Sequence, residues 1–122
     1  MFQVELFVQN LASSVVFYRC LLGKGCASYN ETSALFEDAR GTVLRLTDES
    51  VLNTNHYFNS MHDSAKGKGV ELIMTVDKVD QVFNNFLSIY PAQIESQLAD
   101  RSWGKRDFRV IDHDGYYVRV TS

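Results

Sequence analysis

Four polar side chains that can hold charge or donate hydrogen bonds occur at matching places in two similar halves of the chain. Arg45 lies in the segment GTVLRLT and Arg119 in the similar segment GYYVRVT, while Gln3 and Glu71 correspond near the start of each half. Gln and Glu can offer oxygen to a metal or a polar ligand, whereas a guanidinium group is a permanently charged donor. These four residues are candidates for lining a ligand cleft. As separate residues they are also typical of a solvated surface, or of a cross-strand ion pair between Glu71 and Arg119.

The elements that must position these residues form a repeated pattern. The segment Phe2–Leu22 matches Lys68–Tyr90: in each, a strand-like run leads into a helix with apolar residues at i, i+4, i+7 and i+11, the spacing of one helix face. Asn10 and Asp77 precede the two helices as candidate caps. Three short strands follow each helix, so the sequence predicts an α+β fold of two tandem βαβββ modules. The predicted helices are Leu11–Leu22 and Val79–Tyr90, and the predicted strands are 2–8, 24–30, 33–39, 42–48, a strand from Val70, 93–97, 105–111 and 116–121, with tight turns at Glu31-Thr32, Arg40-Gly41 and 112–115.

Residues 49–69 interrupt this pattern. The segment is rich in Asn, Ser, His and Gly, with a possible helical turn near Leu52–Met61. It is longer than a typical connection, so it is either a linker or a functional flap. We therefore expect a single domain, 1–122, with module 1 at about 1–48, a linker at about 49–69 and module 2 at about 70–122.

Composition disfavours several classes of partner. A formal net charge of −3 argues against nucleic acid and anionic membranes, which favour a basic surface. No apolar run reaches the ~18 residues of a membrane span, and the chain begins in a strand without the layout of a signal peptide. Cys20 and Cys26 form no CxxC motif. We expect a soluble, cytoplasmic protein with free thiols and a small molecule as its partner.

Two segments resemble motifs of the vicinal oxygen chelate superfamily, which includes glyoxalase I, bleomycin-resistance proteins and extradiol dioxygenases. They are VQNLASSVVFYRCLLG and WGKRDFRVIDHDGYYVRV. The resemblance covers nearly the whole chain. It implies two modules whose mixed sheets curl around a shared cleft, with the helices on the outer face, and it implies a homodimer.

The resemblance also places the metal ligands of the metal-using members at Gln3, Arg45, Glu71 and Arg119. A guanidinium has no free lone pair, so neither arginine can bind a metal. The histidines do not replace them, because His56 and His62 are on the linker and His113 stands where the family has a turn proline. We therefore expect no metal and no cofactor.

Without a metal, the resemblance points to a binding protein of the glyoxalase/bleomycin-resistance type that sequesters an antibiotic or an aromatic metabolite. The alternative is a metal-dependent lyase, isomerase or dioxygenase-like enzyme of the same superfamily, with Glu71 as a base; a ligand sensor or a purely structural dimer is a third reading. Aromatic residues on the strands and the linker, Tyr57 and Phe58 among them, favour a flat ligand. The sole tryptophan, Trp103, is expected to stack on it, and the arginines favour an anionic or carbonyl-bearing one. The expected ligand-binding residues are Gln3, Phe7, Phe36, Arg45, Glu71, Trp103, Tyr117 and Arg119.

Overall fold

The computed structural model describes residues 2–39, 43–59 and 66–122. The chain divides into two compact units, one formed by Met1–Arg19 with Lys24–Ser64 and the other by Cys20–Gly23 with Ala65–Ser122. Within the described residues, no helix combines the length and the apolarity that a membrane crossing requires. Both cysteines are free.

The first sheet follows the predicted βαβββ order. It contains β1 (Gln3–Val8), β2 (Ser28–Tyr29), β3 (Ser33–Glu37) and β4 (Val43–Asp48), in the spatial order β1-β4-β3-β2. β1 and β4 are parallel, because helix α1 (Leu11–Leu22) connects β1 to the rest of the sheet, and the other pairs are antiparallel.

The second sheet repeats this arrangement. It contains β5 (Glu71–Thr75), β6 (Ile94–Asp100), β7 (Arg106–Ile111) and β8 (Tyr117–Thr121), in the order β5-β8-β7-β6, and helix α2 (Val79–Ile89) follows β5. β5 and β8 are parallel, and β8, β7 and β6 are antiparallel. The predicted fold class, α+β with two tandem βαβββ modules and mixed sheets, is confirmed.

The helix ends follow local chemistry, with one correction. The Asn10 side chain accepts a hydrogen bond from the Ser13 N–H at 3.0 Å, as expected of a cap, and Gly23, at φ +69°, ends α1. Asp77 is not the cap of α2: that position is Lys78, which makes no side-chain cap hydrogen bond. α2 ends before Pro91, which opens a short 3₁₀ turn.

Two other elements differ from the prediction. Of the strand predicted at 24–30 only Ser28–Tyr29 pairs with β3, and both of these residues are exposed at the edge of the sheet. The predicted helical turn near Leu52–Met61 is present only as single turns in its described part, where the N–H groups of His56 and Asn59 donate to the carbonyls three residues earlier, each at 3.0 Å. A 3₁₀ turn precedes it at Glu49–Val51 and begins where the Asp48 carboxylate accepts the Ser50 N–H at 2.9 Å. Met61 and the predicted Arg40-Gly41 turn lie outside the described residues.

The core of the second unit determines which face of its sheet is open. Phe83 and Phe86 of α2 lie with ring centroids 5.1 and 6.1 Å from the ring of Phe108 in β7. Val110 on the same face of β7 is also fully buried. Because strand side chains alternate, Asp107, Arg109 and Ile111 must point to the other face of the sheet. That face, away from α2, is called the open face below.

The connection between β6 and β7 is held to the open face by a buried ion pair. Arg101 Nε donates to Asp107 Oδ1 at 2.7 Å, and its Nη2 donates to Ser96 Oγ at 3.1 Å and to the Gln97 carbonyl at 3.3 Å. Asp107 is fully buried. A buried carboxylate of this kind depends on its partner, since removing one member of a buried pair leaves a charge that water cannot reach.

We predict that Arg101→Met lowers the free energy of unfolding by about 3–5 kcal/mol, because Asp107 is left buried and unpaired. The matched control is Arg106→Met, whose partner Asp80 lies 2.8 Å away but is well exposed, so its loss is much smaller. Urea unfolding followed by circular dichroism measures both variants. Equal, small losses in the two would show that Arg101 is not what holds this connection.

Candidate functional site

Two of the expected site residues meet on the open face of the second sheet. Glu71 Oε1 lies 3.1 Å from Arg119 Nε, which confirms the ion pair that their strand positions predict. The contact is diagonal, because the direct cross-strand partner of Glu71 is Tyr117 and that of Arg119 is Ile73. β5 is an edge strand, so the Glu71 side chain reaches inward over β8 to make this contact.

A third charged residue, Arg109, completes the cluster. Arg109 in β7 is the direct antiparallel partner of Arg119 in β8, and its Nε lies 4.0 Å from Glu71 Oε1. Like charges placed directly opposite each other destabilise a sheet, so this pair needs an anion beside it. Glu71 supplies that anion. The alternation of residues in Asp107–Ile111 could have identified Arg109 from the sequence, because it puts Arg109 on the face opposite Phe108 and Val110.

The two arginines have hydrogen-bonding capacity that the structure does not use. The Nε atoms of Arg109 and Arg119 are buried, and neither has a hydrogen-bond partner among the described residues. At 3.1 Å, therefore, Glu71 is an ion-pair partner of Arg119 whose oxygen lies off the direction of the Nε–H bond. A buried donor without an acceptor costs about 1–3 kcal/mol. The side chains as a whole remain 28% and 22% exposed, so part of each arginine is open to solvent although its Nε atom is covered.

Tyr117 links the cluster to a second carboxylate. Its hydroxyl donates to Glu95 Oε2 at 2.6 Å. Burial, and then this hydrogen bond, raise the pKa of Tyr117, so it remains a neutral donor at neutral pH. A side-chain hydrogen bond with Tyr117 is also the main reason that the pKa of Arg109 is raised, which keeps this guanidinium charged.

A shallow depression of about 510 Å³ lies at the Glu71 end of the open face. One wall is the Lys66–Gly69 loop, which approaches the 112–115 turn so closely that a Cβ on Gly67 would lie 2.9 Å from Tyr116 Cα. A nearly buried ion pair, Lys66 Nζ to Asp114 Oδ1 at 3.1 Å, fixes this approach. The depression is lined by Lys66, Gly67, Lys68, Gly69, Val70, Glu71, Gly115 and Tyr117.

The corresponding face of the first sheet has a different pattern. Arg45 pairs in register with Glu5 and Leu35, and Glu5 Oε2 accepts a hydrogen bond from Thr47 Oγ1 at 2.6 Å. Gln3 is exposed and pairs in register with Val43. Arg45 thus faces one carboxylate and no second arginine in its register partners, unlike Arg119.

The two expected aromatic residues of the first unit are buried. Phe7 shares the face of Arg45 but is covered, with the rings of His56 and Phe58 at 5.2 and 5.6 Å. Phe36 is 2% exposed and pairs with Leu44 on the opposite face of the first sheet, so its ring belongs to the core and is not available to a ligand.

Trp103 lies at the end of the second sheet that is opposite to Glu71. It is 55% exposed in the β6–β7 connection, three residues before Arg106, whereas Glu71 is level with Tyr117 and Ile111. Arg106 and Ile111 are the two ends of β7, roughly 17 Å apart at the strand rise of about 3.3 Å per residue. The structure therefore does not bring Trp103 over the Glu71 carboxylate.

The residues present do not fit a divalent cation. Among residues 2–39, 43–59 and 66–122, no three His, Cys, Asp or Glu side chains form a group that could hold a metal. His56 Nδ1 accepts the Phe58 N–H at 3.1 Å, His113 lies 3.4 Å from Gln93 Nε2, and His62 falls outside the described residues. Glu71, the one carboxylate of the expected ligand set, is flanked by two permanent cations. Hard divalent ions require several oxygen ligands and are repelled by such neighbours.

Comparison with solved structures identifies the fold. No protein-family model matches the chain, and no curated protein matches it. A protein of unknown function from Agrobacterium tumefaciens is 24% identical, with a TM-score of 0.74 over 99% of this chain and 91% of that one. A glyoxalase/bleomycin resistance protein/dioxygenase family enzyme from Burkholderia phytofirmans is 12% identical, with a TM-score of 0.76 over 98% and 94%. A glyoxalase/bleomycin resistance protein from Catenulispora acidiphila is 18% identical, with a TM-score of 0.67 over 98% and 95%.

These likenesses cover nearly the whole of each chain. The protein has the fold of the glyoxalase/bleomycin resistance/dioxygenase group, and the resemblance to the vicinal oxygen chelate superfamily is confirmed at the level of the fold.

We predict that protein purified without a chelator carries no stoichiometric zinc, nickel, iron or manganese, because the Glu71 carboxylate lies between two guanidinium groups. Plasma mass spectrometry of the purified protein measures this. A stoichiometric metal that is lost in Glu71→Ala but retained in Asp80→Ala, a control carboxylate that also pairs with an arginine, would contradict the prediction and favour the enzyme alternative.

Proposed function

We propose that this protein is a metal-free small-molecule-binding protein, and that Arg109 and Arg119 bind an anionic or carbonyl-bearing group of its ligand. One observation carries the proposal: two guanidinium groups are direct cross-strand partners on an open sheet face, and the Nε atom of each is buried without a hydrogen-bond partner. An oxygen-bearing group placed between them meets the unused donors and offsets the repulsion between like charges. A planar carboxylate suits this geometry best, because it can accept from two parallel N–H groups.

The surroundings of the arginines favour a ligand with an apolar body. Ile73 is 56% exposed beside Arg119, and Ile111 is 39% exposed two residues from Arg109 on the same face. The Tyr117 ring lies between the arginines and the depression at the Glu71 end. Ligand sites commonly join apolar walls to a few convergent polar groups. An aromatic or aliphatic carboxylate fits this combination.

The similarity to a structure named glyoxalase/bleomycin resistance protein supports a binding role, with sequestration of an antibiotic or aromatic metabolite as the biological purpose. The similar structure from Burkholderia phytofirmans is named as an enzyme, which supports the alternative. The two arginines favour an acidic or carbonyl-bearing compound over a cationic drug. The enzyme alternative requires a metal at Glu71 or a free carboxylate there. Glu71 forms ion pairs with both arginines, which weighs against a metal at Glu71 and against a free carboxylate there.

Assembly and location are further parts of the proposal. A homodimer is what the resemblance implies, and two-fold symmetry is the commonest form of closed assembly. Two free thiols fit a reducing compartment such as the cytoplasm.

We predict that benzoate binds and that benzylamine, which has the same ring and the opposite charge, does not. Arg109→Met and Arg119→Met should each weaken benzoate binding by at least about tenfold, since a hydrogen bond to a charged group contributes about 1.5–3 kcal/mol. Arg106→Met is the matched control, because this arginine of the same strand pairs with Asp80 of α2, away from the open face. Isothermal titration calorimetry measures all four proteins. Equal binding of the two compounds, or benzoate affinity unchanged in both arginine variants, would contradict the proposed site.

A further inference from the structure

The carboxylate of Glu71 occupies the place that a ligand carboxylate would need. Its Oε1 lies 3.1 Å from Arg119 Nε and 4.0 Å from Arg109 Nε, so one oxygen faces both guanidinium groups at once. A bound carboxylate would make the same approach to the same two donors. Resting on the proposed function, we propose that Glu71 is an internal competitor: it holds the two-arginine site while no ligand is bound, and the carboxylate of the ligand displaces it.

The contacts of Glu71 are those of a side chain that can leave. Neither Nε–H makes a hydrogen bond to it, so the ion pair lacks the directional bond that would hold the carboxylate in one position. The Glu71 side chain is 36% exposed, which reduces the strength of its ion pairs through screening by solvent. Glu95 differs in this respect, because a 2.6 Å hydrogen bond fixes it to Tyr117.

The position of Glu71 in the sheet gives its side chain room to move. β5 is the edge strand, and Glu71 is its first residue. The depression of about 510 Å³ begins at Glu71 and extends to the Lys66–Gly69 loop, where Lys68 is exposed. A rotation of the Glu71 side chain away from the arginines therefore moves the carboxylate into open space beside a cation, without disturbing the sheet.

The two arginines, in contrast, are held on neighbouring strands. Arg109 and Arg119 are fixed opposite each other by the hydrogen bonds of the β7–β8 ladder. Their like charges repel whenever both side chains lie over this part of the sheet, so an anion between them stabilises the site, whether it is Glu71 or the ligand. Exchange of one carboxylate for another keeps the charge between the two arginines unchanged. The exchange also makes the site selective for larger carboxylates. A simple ion such as acetate must displace the tethered Glu71 carboxylate without apolar contacts of its own.

The test compares Glu71→Gln with wild type in chloride-free buffer, with benzoate and acetate as probes, by isothermal titration calorimetry. Removal of the competitor should tighten benzoate binding by about fivefold, the change that corresponds to loss of one partly exposed ion-pair competitor worth about 1 kcal/mol. Acetate, weak or undetectable with wild type, should become measurable. Asp80→Asn removes a different arginine-paired carboxylate with the same change in net charge, and it should leave both affinities unchanged.

Each other outcome overturns a stated part of the account. If wild type binds benzoate and Glu71→Gln binds it equally or more weakly, Glu71 is not a competitor, while the proposed anion site stands. If neither protein binds benzoate, the proposed function fails together with the inference. If Glu71→Gln does not fold, Glu71→Asp, which retains the charge on a shorter side chain, takes its place. A smaller gain in benzoate affinity is then expected, and no gain refutes the competitor.

Discussion

The repulsion between Arg109 and Arg119 is the constraint on which the site depends. The β7–β8 register places the two arginines opposite each other on one face of the sheet, and the Nε atoms of both lie within 4.0 Å of the same Glu71 oxygen. Glu71 offsets this repulsion from the neighbouring edge strand, at ion-pair distance but without a hydrogen bond from either Nε. The result is a site with one carboxylate for two guanidinium cations and with two donors that make no hydrogen bond. That combination favours an oxygen anion of the right shape over a metal cation.

The scaffold explains why the site belongs to the second unit. α2 packs on Phe108, so the alternation of β7 directs Arg109 to the open face, and the β6–β7 connection is kept in place by Arg101 and Asp107. The first sheet has the same topology with different residues. There Arg45 lies opposite Glu5, and the end of that face is covered where His56 packs on Phe7. Two copies of one module have thus become chemically different.

The sequence alone predicts those features that depend on the residue pattern within one helix or strand, or on the similarity of the two halves. The two βαβββ modules and the Glu71–Arg119 pair follow from periodicity and the repeat. The cap at Asn10 follows from a short polar residue placed just before a helix. Arg109 was missed because its importance depends on the pairing of β7 with β8, and a single strand does not contain that register. Phe36 was expected at the ligand and is in the core, because the direction of an isolated aromatic in a short strand is fixed only by its partner Leu44. Trp103 was expected to contact the ligand because of its residue type. Its distance from Glu71 depends on the length of β7, which separates the two residues.

The most direct test of the central claim is the ¹H–¹⁵N spectrum of the arginine side chains, recorded while benzoate is added. The account predicts that the Nε–H signals of Arg109 and Arg119, assigned from Arg→Lys variants, shift together and exchange more slowly with water as benzoate accepts their hydrogen bonds. The Arg106 signal should not move. Saturable benzoate binding that leaves the signals of Arg109 and Arg119 unchanged would contradict the claim that this pair forms the site.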